Sequence, residues 1–284
     1  MLSPLLPFPP GTHTRSMYTQ MIYASHLDTS TGELRVEAAP VRTPTGIPGF
    51  DEIIGGGFPP ERVVLILGEP GAGKTILCSQ FLYNGASKYG QSGLLVSLEE
   101  SRSHYLREMA QFGWDFLGLE KAGKFTFVDA SPIRTIPDEV KVGNLTLGRH
   151  DFSMISLLEV VRNSAKKINA KRIVLDPISL LMAQYPDDVQ RRKALLDVVE
   201  ALSETGATCI LSAELRRVGI KGRVLQIEEF LTHGVILMQT IATGRTMERT
   251  IQVEKMRETQ IDRQPRPYRI TGSGIEVYPR ETVI

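Results

Sequence analysis

Short apolar runs alternate with helical periodicities between residues 62 and 215. Runs that are apolar at every position are typical of parallel strands covered on both faces, and strands that alternate with helices indicate an α/β sheet. We therefore predict a mostly parallel sheet with helices on both faces. The predicted strands are 62–67, 93–98, 124–130, 172–181 and 207–215, and the predicted helices are 75–90, 101–113, 151–169 and 188–206.

The pattern changes at both ends of this region. After residue 233, the segments 234–242, 249–257 and 267–279 have the character of antiparallel strands, with Gly-Ser-Gly as a hairpin turn in the last. The glycine- and proline-rich segment 41–61 predicts tight turns around a short helix at 50–54. We expect one α/β domain over residues 41–284, preceded by an N-terminal extension over residues 1–40. The extension is expected to be disordered over 1–16 and to hold a strand near 33–38.

Composition and charge narrow the class of protein. The 33 basic residues balance 32 acidic ones, so net charge gives no general attraction to nucleic acid or membrane. Only two cysteines are present, which excludes a disulfide framework, and both are expected to be buried. The histidines show no metal-ligand spacing. No apolar run is long enough for a bilayer, and the N-terminus lacks signal-peptide features, so we expect a cytoplasmic protein without membrane contact.

The segment GEPGAGKT, from Gly68 to Thr75, lies between a predicted strand and a predicted helix. It fits the pattern G-x-x-x-x-G-K-[ST], in which glycines let backbone N–H groups converge on phosphate oxygens at a helix N-terminus. Lys74 is expected to reach the β- and γ-phosphates, and the Thr75 hydroxyl to bind Mg²⁺. A glycine-rich turn with an incidental lysine is the weaker reading, because both the pattern and its strand–helix setting are met. The segment predicts a nucleoside-triphosphate site.

Acidic residues lie where two apolar runs end, and ligands of parallel sheets bind beyond the ends of the strands. Glu99 and Glu100 end the strand 93–98, where a carboxylate could align an attacking water or take its proton. The same pair would equally suit the first turn of a helix, so the residues alone leave both readings open. Asp176 interrupts the apolar run 172–181, in the manner of a carboxylate on the Mg²⁺ side of a phosphate site.

Seven segments follow one another along the chain: TGIPGFDEIIGGGFP, GEPGAGKT, EE, FGWD, VLDPISLL, EEFLTHGVIL and VEKMR. In this order, from about residue 41 to residue 279, they resemble the KaiC-like proteins of the RecA/RadA-type ATPases. The resemblance implies a RecA-like P-loop core, ATP and Mg²⁺ as ligands, and homo-hexameric rings with nucleotide at the subunit interfaces. With one such domain, the chain looks like a single-domain homologue of the archaeal type.

The resemblance also implies roles for individual residues. It makes Glu99 and Glu100 a catalytic pair, with Glu99 also on the metal side. Lys74 and Arg257 are implied to act in catalysis, Arg257 from the neighbouring subunit. Without the resemblance, lysine and arginine alternating on an antiparallel strand would indicate a solvated face. The implied nucleotide-binding residues are Gly71, Ala72, Gly73, Lys74, Thr75, Ile76, Lys255, Met256, Arg257 and Thr259, and the implied metal-binding residues are Thr75, Glu99 and Asp176.

Two departures from the family pattern affect these expectations. The family often continues K-M-R with G-T-S-H, whereas this chain has ETQI, which keeps Thr259 but replaces the glycine and the histidine. Adjacent serine and threonine phosphorylation sites of the family are replaced by glutamate and phenylalanine within IEEFLTHG. Autokinase activity at those sites is therefore not expected, and Thr232 is only a weak acceptor.

The segment LRRVGIKGR carries four basic residues around two glycines: Arg216, Arg217, Lys221 and Arg223. In RecA-like rings, loops from this side of the sheet face the central channel, so contact with single-stranded DNA is one hypothesis. A solvated loop is the alternative, and the lack of aromatic stacking residues favours it. Trp114 is expected to pack in the core. Two functions stay open at this point, a slow Mg²⁺-dependent ATPase and an assembly that ATP holds together with very slow turnover.

Overall fold

The computed structural model describes residues 26–27, 34–35, 41–131, 139–142, 145–185, 187–218, 222–243 and 246–283. The chain divides into two units, Met1–Val41 and Arg42–Ile284. In the first unit, strand β1 (His26–Leu27) pairs antiparallel with β2 (Leu34–Arg35). β2 lies inside the predicted strand 33–38, and the segment predicted to be disordered, 1–16, lies outside the described residues.

The second unit begins with a mixture of strands and helices and ends, after residue 233, in four strands. Its described elements are α1 (Phe50–Ile53), β3 (Val63–Gly68), α2 (Lys74–Lys88), β4 (Gly93–Ser97), α3 (Arg102–Ala110), α4 (Phe116–Lys121), β5 (Phe125–Asp129), β6 (Glu139–Val142), β7 (Leu145–Gly148), α5 (Arg149–Ile168), β8 (Arg172–Asp176), α6 (Ile178–Met182), α7 (Asp188–Ser203), β9 (Thr208–Glu214), β10 (Arg217–Val218), β11 (Gly222–Arg223), α8 (Ile227–Leu231), β12 (Gly234–Thr243), β13 (Thr246–Met256), β14 (Arg266–Thr271) and β15 (Gly274–Val277).

One large sheet forms the centre of this unit. Its strand order is β15-β14-β13-β12-β3-β9-β8-β4-β5. The six strands from β12 to β5 pair in parallel, and β13, β14 and β15 extend the sheet as antiparallel neighbours. The predicted parallel sheet with antiparallel C-terminal strands is confirmed. Strand β3 lies between β12 and β9, so the loop that follows it leaves from the middle of the sheet.

Two hydrophobic cores cover the two faces of the sheet, which explains the uninterrupted apolar runs. Along β3, Val63, Leu65 and Leu67 pack on one face with residues of α5 and α7. Val64 and Ile66 pack on the other face with residues of α1 and α2. Because side chains alternate along a strand, a strand buried on both faces needs an apolar residue at every position.

The predicted strand 172–181 was wrong in its second half. β8 ends at Asp176, a cis peptide joins Asp176 to Pro177, and Ile178–Met182 forms a short helix. Proline has no N–H to donate to a strand ladder. A short apolar run does not by itself distinguish a strand from a buried helix, and the run 178–182 is a buried helix. Helix α4 and the β6–β7 hairpin were not predicted; α4 begins where the Asp115 side chain accepts a hydrogen bond from the Gly118 N–H at 2.8 Å.

A buried arginine links the elements that present the site. Arg172, at the start of β8, is fully buried, and its guanidinium donates to Gln91 Oε1 at 2.7 Å, Phe81 O at 2.7 Å and Pro44 O at 2.6 Å. Burial lowers the pKa of Arg172 to about 10, so the group stays cationic at neutral pH. Its hydrogen bonds hold β8 against α2, the strand and the helix whose opposite ends carry Asp176 and Lys74.

No helix in the described part of the chain has both the length and the apolar character needed to cross a membrane.

Candidate functional site

The loop 68–75 joins the end of β3 to the start of α2, at the sheet edge where the parallel strands end. Gly71 and Gly73 have φ angles of 77° and 88°, which glycine adopts without the strain that a side chain would add. A Cβ atom on Gly71 would meet nothing within 4 Å, whereas one on Gly73 would lie 2.8 Å from Ile270 Cδ1. The loop is therefore open beside Gly71 and tightly packed behind Gly73.

Lys74 folds back over this loop. Its Nζ donates to Gly68 O at 2.9 Å and to Glu69 O at 3.1 Å. The Glu69 carboxylate accepts a hydrogen bond from the Thr240 N–H of β12 at 3.0 Å, which ties the loop to a neighbouring strand. The loop thus encloses one positive charge at a helix N-terminus, a setting that favours phosphate. Ile76, in the first turn of α2, is half-buried.

The structure brings Thr75 and Asp176 into contact. Thr75 Oγ1 donates to Asp176 Oδ2 at 2.8 Å, and the hydroxyl of Ser212 on β9 donates to the other carboxylate oxygen. Asp176 is buried, so both carboxylate oxygens depend on these partners. Hydroxyl and carboxylate oxygens are the ligands that Mg²⁺ prefers, and this pair lies directly beside the loop.

Glu99 and Glu100 follow β4 and precede α3, which begins at Arg102, so they do not form the first turn of that helix. The Ser97 hydroxyl donates to Glu100 O and accepts from Glu100 N, each at 2.9 Å, which fixes the turn. Glu99 is exposed and Glu100 is half-buried. Glu100 Oε2 is buried and has no hydrogen-bond partner in the part of the chain that the structure describes. Burial raises the pKa of Glu100, and the negative charges of Glu108, Asp176 and Glu99 raise it further.

The glutamates and the Thr75–Asp176 pair share a small cleft. Its volume is about 30 Å³, which is enough to hold water. The cleft is lined by Thr75, Leu95, Ser97, Glu99, Glu100, Tyr105, Asp176 and Pro177.

The segment 255–257 lies at the opposite edge of the sheet. Met256 pairs with Gly234, and the Arg257 N–H donates to His233 O at 2.9 Å, while His233 N donates to Val63 O at the start of β3. The loop 68–75 begins at Gly68, five residues further along β3 than Val63. At the rise of a strand, these two residues are about 17 Å apart. The exposed Arg257 side chain is thus not brought to the loop of its own chain.

The neighbours of Arg257 are held inside the chain. Lys255 Nζ donates to three carbonyls around the end of α8, those of Glu229 at 3.1 Å, Phe230 at 3.5 Å and Thr232 at 2.6 Å. Burial and, secondly, the charge of Arg257 lower the pKa of Lys255. The Met256 side chain is buried.

Two threonines near this segment have their own partners. Thr259 Oγ1 accepts a hydrogen bond from Arg42 at 2.7 Å. Thr232, considered above as a phosphate acceptor, is fully buried, and its hydroxyl donates to Glu228 O at 2.9 Å.

Within the basic segment 216–223, Arg217–Val218 of β10 pair with Gly222–Arg223 of β11. Arg216 is exposed, whereas Arg223 forms an ion pair of 2.6 Å with Glu229 and lies 3.8 Å from Glu254. The Arg217 side chain and all of Lys221 lie outside the described residues. Contact with single-stranded DNA stays a prediction.

The expected packing residues lie in the core. Trp114 is buried and stacks on Tyr83 and Phe112 with ring centroids 5.8 Å and 5.0 Å away, which confirms its packing role. Cys78 and Cys209 are free and buried, as predicted.

Sequence reasoning missed Ser97, Ser212 and Tyr268, which all contact the loop, the acidic pair or Asp176. For the two serines a signal was present, since each is a polar residue near the end of an otherwise apolar strand. Tyr268 had no local signal, because its partner is Ala72, at the far end of the domain sequence.

Comparisons with known proteins agree on one family. The profile described as "ATPase: KaiC" matches residues 43–282. A UPF0273 protein of Pyrococcus horikoshii is 37% identical over 239 residues, which cover 84% of this chain and 94% of that protein. A UPF0273 protein of Methanocaldococcus jannaschii is 36% identical over 238 residues, which cover 84% of this chain and 96% of the relative.

A longer relative and a solved structure match as well. The circadian clock oscillator protein KaiC of Parathermosynechococcus lividus is 32% identical over 237 residues, 83% of this chain, but the match spans only 42% of that protein. The crystal structure of a KaiC-like protein from Pyrococcus horikoshii superposes with a TM-score of 0.71 at 37% identity, covering 85% of this chain and all of that one.

Proposed function

The chain belongs to the KaiC family of ATPases, and from this premise we propose that it binds ATP at the loop 68–75 and hydrolyses it with Mg²⁺. The observation that carries the proposal is the cleft beside the loop, where Thr75, Asp176 and Glu100 meet. Glu100 Oε2 is buried and has no partner among the described residues, so it needs a hydrogen-bond donor, and the cleft has room for water.

Each group has a defined task in this proposal. Backbone N–H groups of the loop bind the phosphates, and Lys74 exchanges its two carbonyl contacts for phosphate oxygens. The hydroxyl of Thr75 and the carboxylate of Asp176 supply the oxygen ligands for Mg²⁺, which would neutralise charge that develops on the transferred phosphoryl group. Glu100, assisted by Glu99, orients the attacking water and accepts its proton.

We propose further that hydrolysis takes place between subunits of a homo-oligomeric ring. Support comes from the position of Arg257 at the sheet edge opposite the loop, since one chain alone does not bring the two together. A neighbouring copy would supply Arg257, and with it Lys255, to the phosphates. Steady-state phosphate release by the purified assembly, with and without single-stranded DNA, tests the activity and separates turnover from a purely nucleotide-held assembly.

Replacing both glutamates, Glu99→Gln with Glu100→Gln, is expected to lower hydrolysis by about 10²-fold or more, the usual effect of losing general-base help. ATP affinity should be retained, because in this proposal the phosphates are bound by the N–H groups of the loop and by Lys74, and not by the two glutamates. Titration calorimetry for binding and phosphate release for turnover measure the two effects. Glu108→Gln is the matched control, since Glu108 is an exposed carboxylate near Glu100 that does not line the cleft. An unchanged rate in the double variant would rule out the catalytic role.

The same assignment predicts a pH dependence. A general base acts in its ionised form, so activity is lost as the pH falls through the pKa of Glu100. That pKa is raised by burial and by neighbouring carboxylates, so the loss is expected at higher pH than for an ordinary glutamate. Glu108→Gln removes one of those negative charges and should move the acidic limb of the rate profile to lower pH. A limb that stays in place in this variant would contradict the assignment to Glu100.

A further inference from the structure

The hairpin formed by β14 and β15 contacts the phosphate loop from behind. Tyr268 on β14 is buried, and its Oη donates to the carbonyl oxygen of Ala72 at 2.5 Å. Two residues further along the strand, Ile270 packs against Gly73 so closely that a Cβ atom there would lie 2.8 Å away. The hairpin therefore touches two consecutive residues of the loop, once by a hydrogen bond and once by van der Waals contact.

The peptide group between Ala72 and Gly73 is trans, so its C=O and N–H point in opposite directions. Because the Ala72 carbonyl points toward the hairpin and accepts the hydrogen bond from Tyr268, the Gly73 N–H of the same peptide group is directed away from the hairpin. Resting on the proposed ATP site, we propose that the Tyr268 hydroxyl is a positioning residue that aims the Gly73 N–H at the phosphates. In this role Tyr268 itself touches no substrate.

The hairpin is fixed to the helix that follows the loop, which holds the Tyr268 hydroxyl in position. The buried side chain of Gln80 on α2 donates to Ile275 O at 3.1 Å and accepts from Ile275 N at 2.7 Å. The hairpin that carries the Tyr268 hydroxyl and the helix that follows the loop are thus joined directly. Burial raises the pKa of Tyr268, which keeps the hydroxyl protonated and able to donate.

The test is Tyr268→Phe, which keeps the buried ring and removes only the donor. We expect the affinities for ATP and ADP to fall by the same factor, about fivefold to tenfold, the effect of one net hydrogen bond. Both nucleotides carry the phosphates that loop N–H groups bind. At saturating ATP, kcat should stay within about twofold of the original, because the lost interaction weakens the bound ground state and the transition state equally. General damage to the fold would lower kcat as well.

Tyr278→Phe is the matched control, since Tyr278 follows β15 and its hydroxyl lies 3.4 Å from Glu276 and not at the loop. Thermal unfolding of each variant without nucleotide checks that both are folded. ATP affinity within about twofold of the original in Tyr268→Phe would overturn the inference, and so would an equal loss in Tyr278→Phe. Failure of the unaltered chain to bind ATP would instead overturn the proposed function, and this inference with it.

Discussion

Arg257→Ala is expected to lower ATP hydrolysis by about 10³-fold or more, because an arginine that reaches the γ-phosphate stabilises charge in the transition state. ATP affinity should change little, since the loop of each chain keeps its own Lys74. Arg257→Lys keeps the charge and lacks the planar fork that can hold two phosphate oxygens, so it should recover only part of the rate. Phosphate release at saturating ATP measures both variants.

The decisive form of this experiment mixes two inactive proteins. Lys74→Ala chains lack the positive charge of the phosphate loop, and Arg257→Ala chains lack the arginine that would reach the phosphates of the neighbouring copy. After subunit exchange, some interfaces combine an intact loop from one chain with an intact Arg257 from the other, and activity should reappear at these interfaces. Mass spectrometry of differently tagged chains verifies the exchange. Verified mixed assemblies without recovered hydrolysis would show that Arg257 acts within its own chain or has no catalytic role.

Lys74→Ala is expected to abolish measurable ATP binding, a loss of about 10²-fold or more, because two charge-assisted contacts to phosphate disappear together. Among the described residues, the Lys74 ammonium donates to the carbonyls of Gly68 and Glu69 in its own loop, so its removal should leave the fold intact. Isothermal titration gives the affinity, and circular dichroism checks the fold.

Lys88→Ala is the control for this variant, since it removes a lysine from the far end of the same helix. It should bind ATP as the unaltered chain does. ATP affinity that is unchanged in Lys74→Ala would refute the assignment of the loop as the phosphate site.

Much of the site was predictable because it is local in sequence or follows from strand direction. The glycines of the loop 68–75 signal its backbone geometry directly, and the structure has Gly71 and Gly73 at positive φ. Asp176 and Thr75 lie 101 residues apart, yet their contact follows from the rule that parallel strands end at one edge.

The other features of the fold and the site depend on tertiary contacts, which the pattern of apolar and polar residues in the sequence does not reveal. The apolar run after Asp176 reads equally as strand or helix, and packing decided for helix α6. The hydrogen bond from Tyr268 to Ala72 joins residues 196 positions apart. It depends on the register of the antiparallel strand β14, which a single sequence does not specify. Lys255 likewise finds its carbonyl partners only because β13 runs beside the end of α8.

The placement of the loop and of Arg257 at opposite edges of one sheet gives the proposed assembly a polarity. A copy whose Arg257 contacts the loop of one neighbour has its own loop free for the Arg257 of another. The contact is therefore of the head-to-tail kind, and it repeats until the row of copies closes on itself. An open row always has one loop without an arginine at one end and one arginine without a loop at the other. Closure pairs these two ends, so a closed ring has as many complete catalytic sites as it has copies.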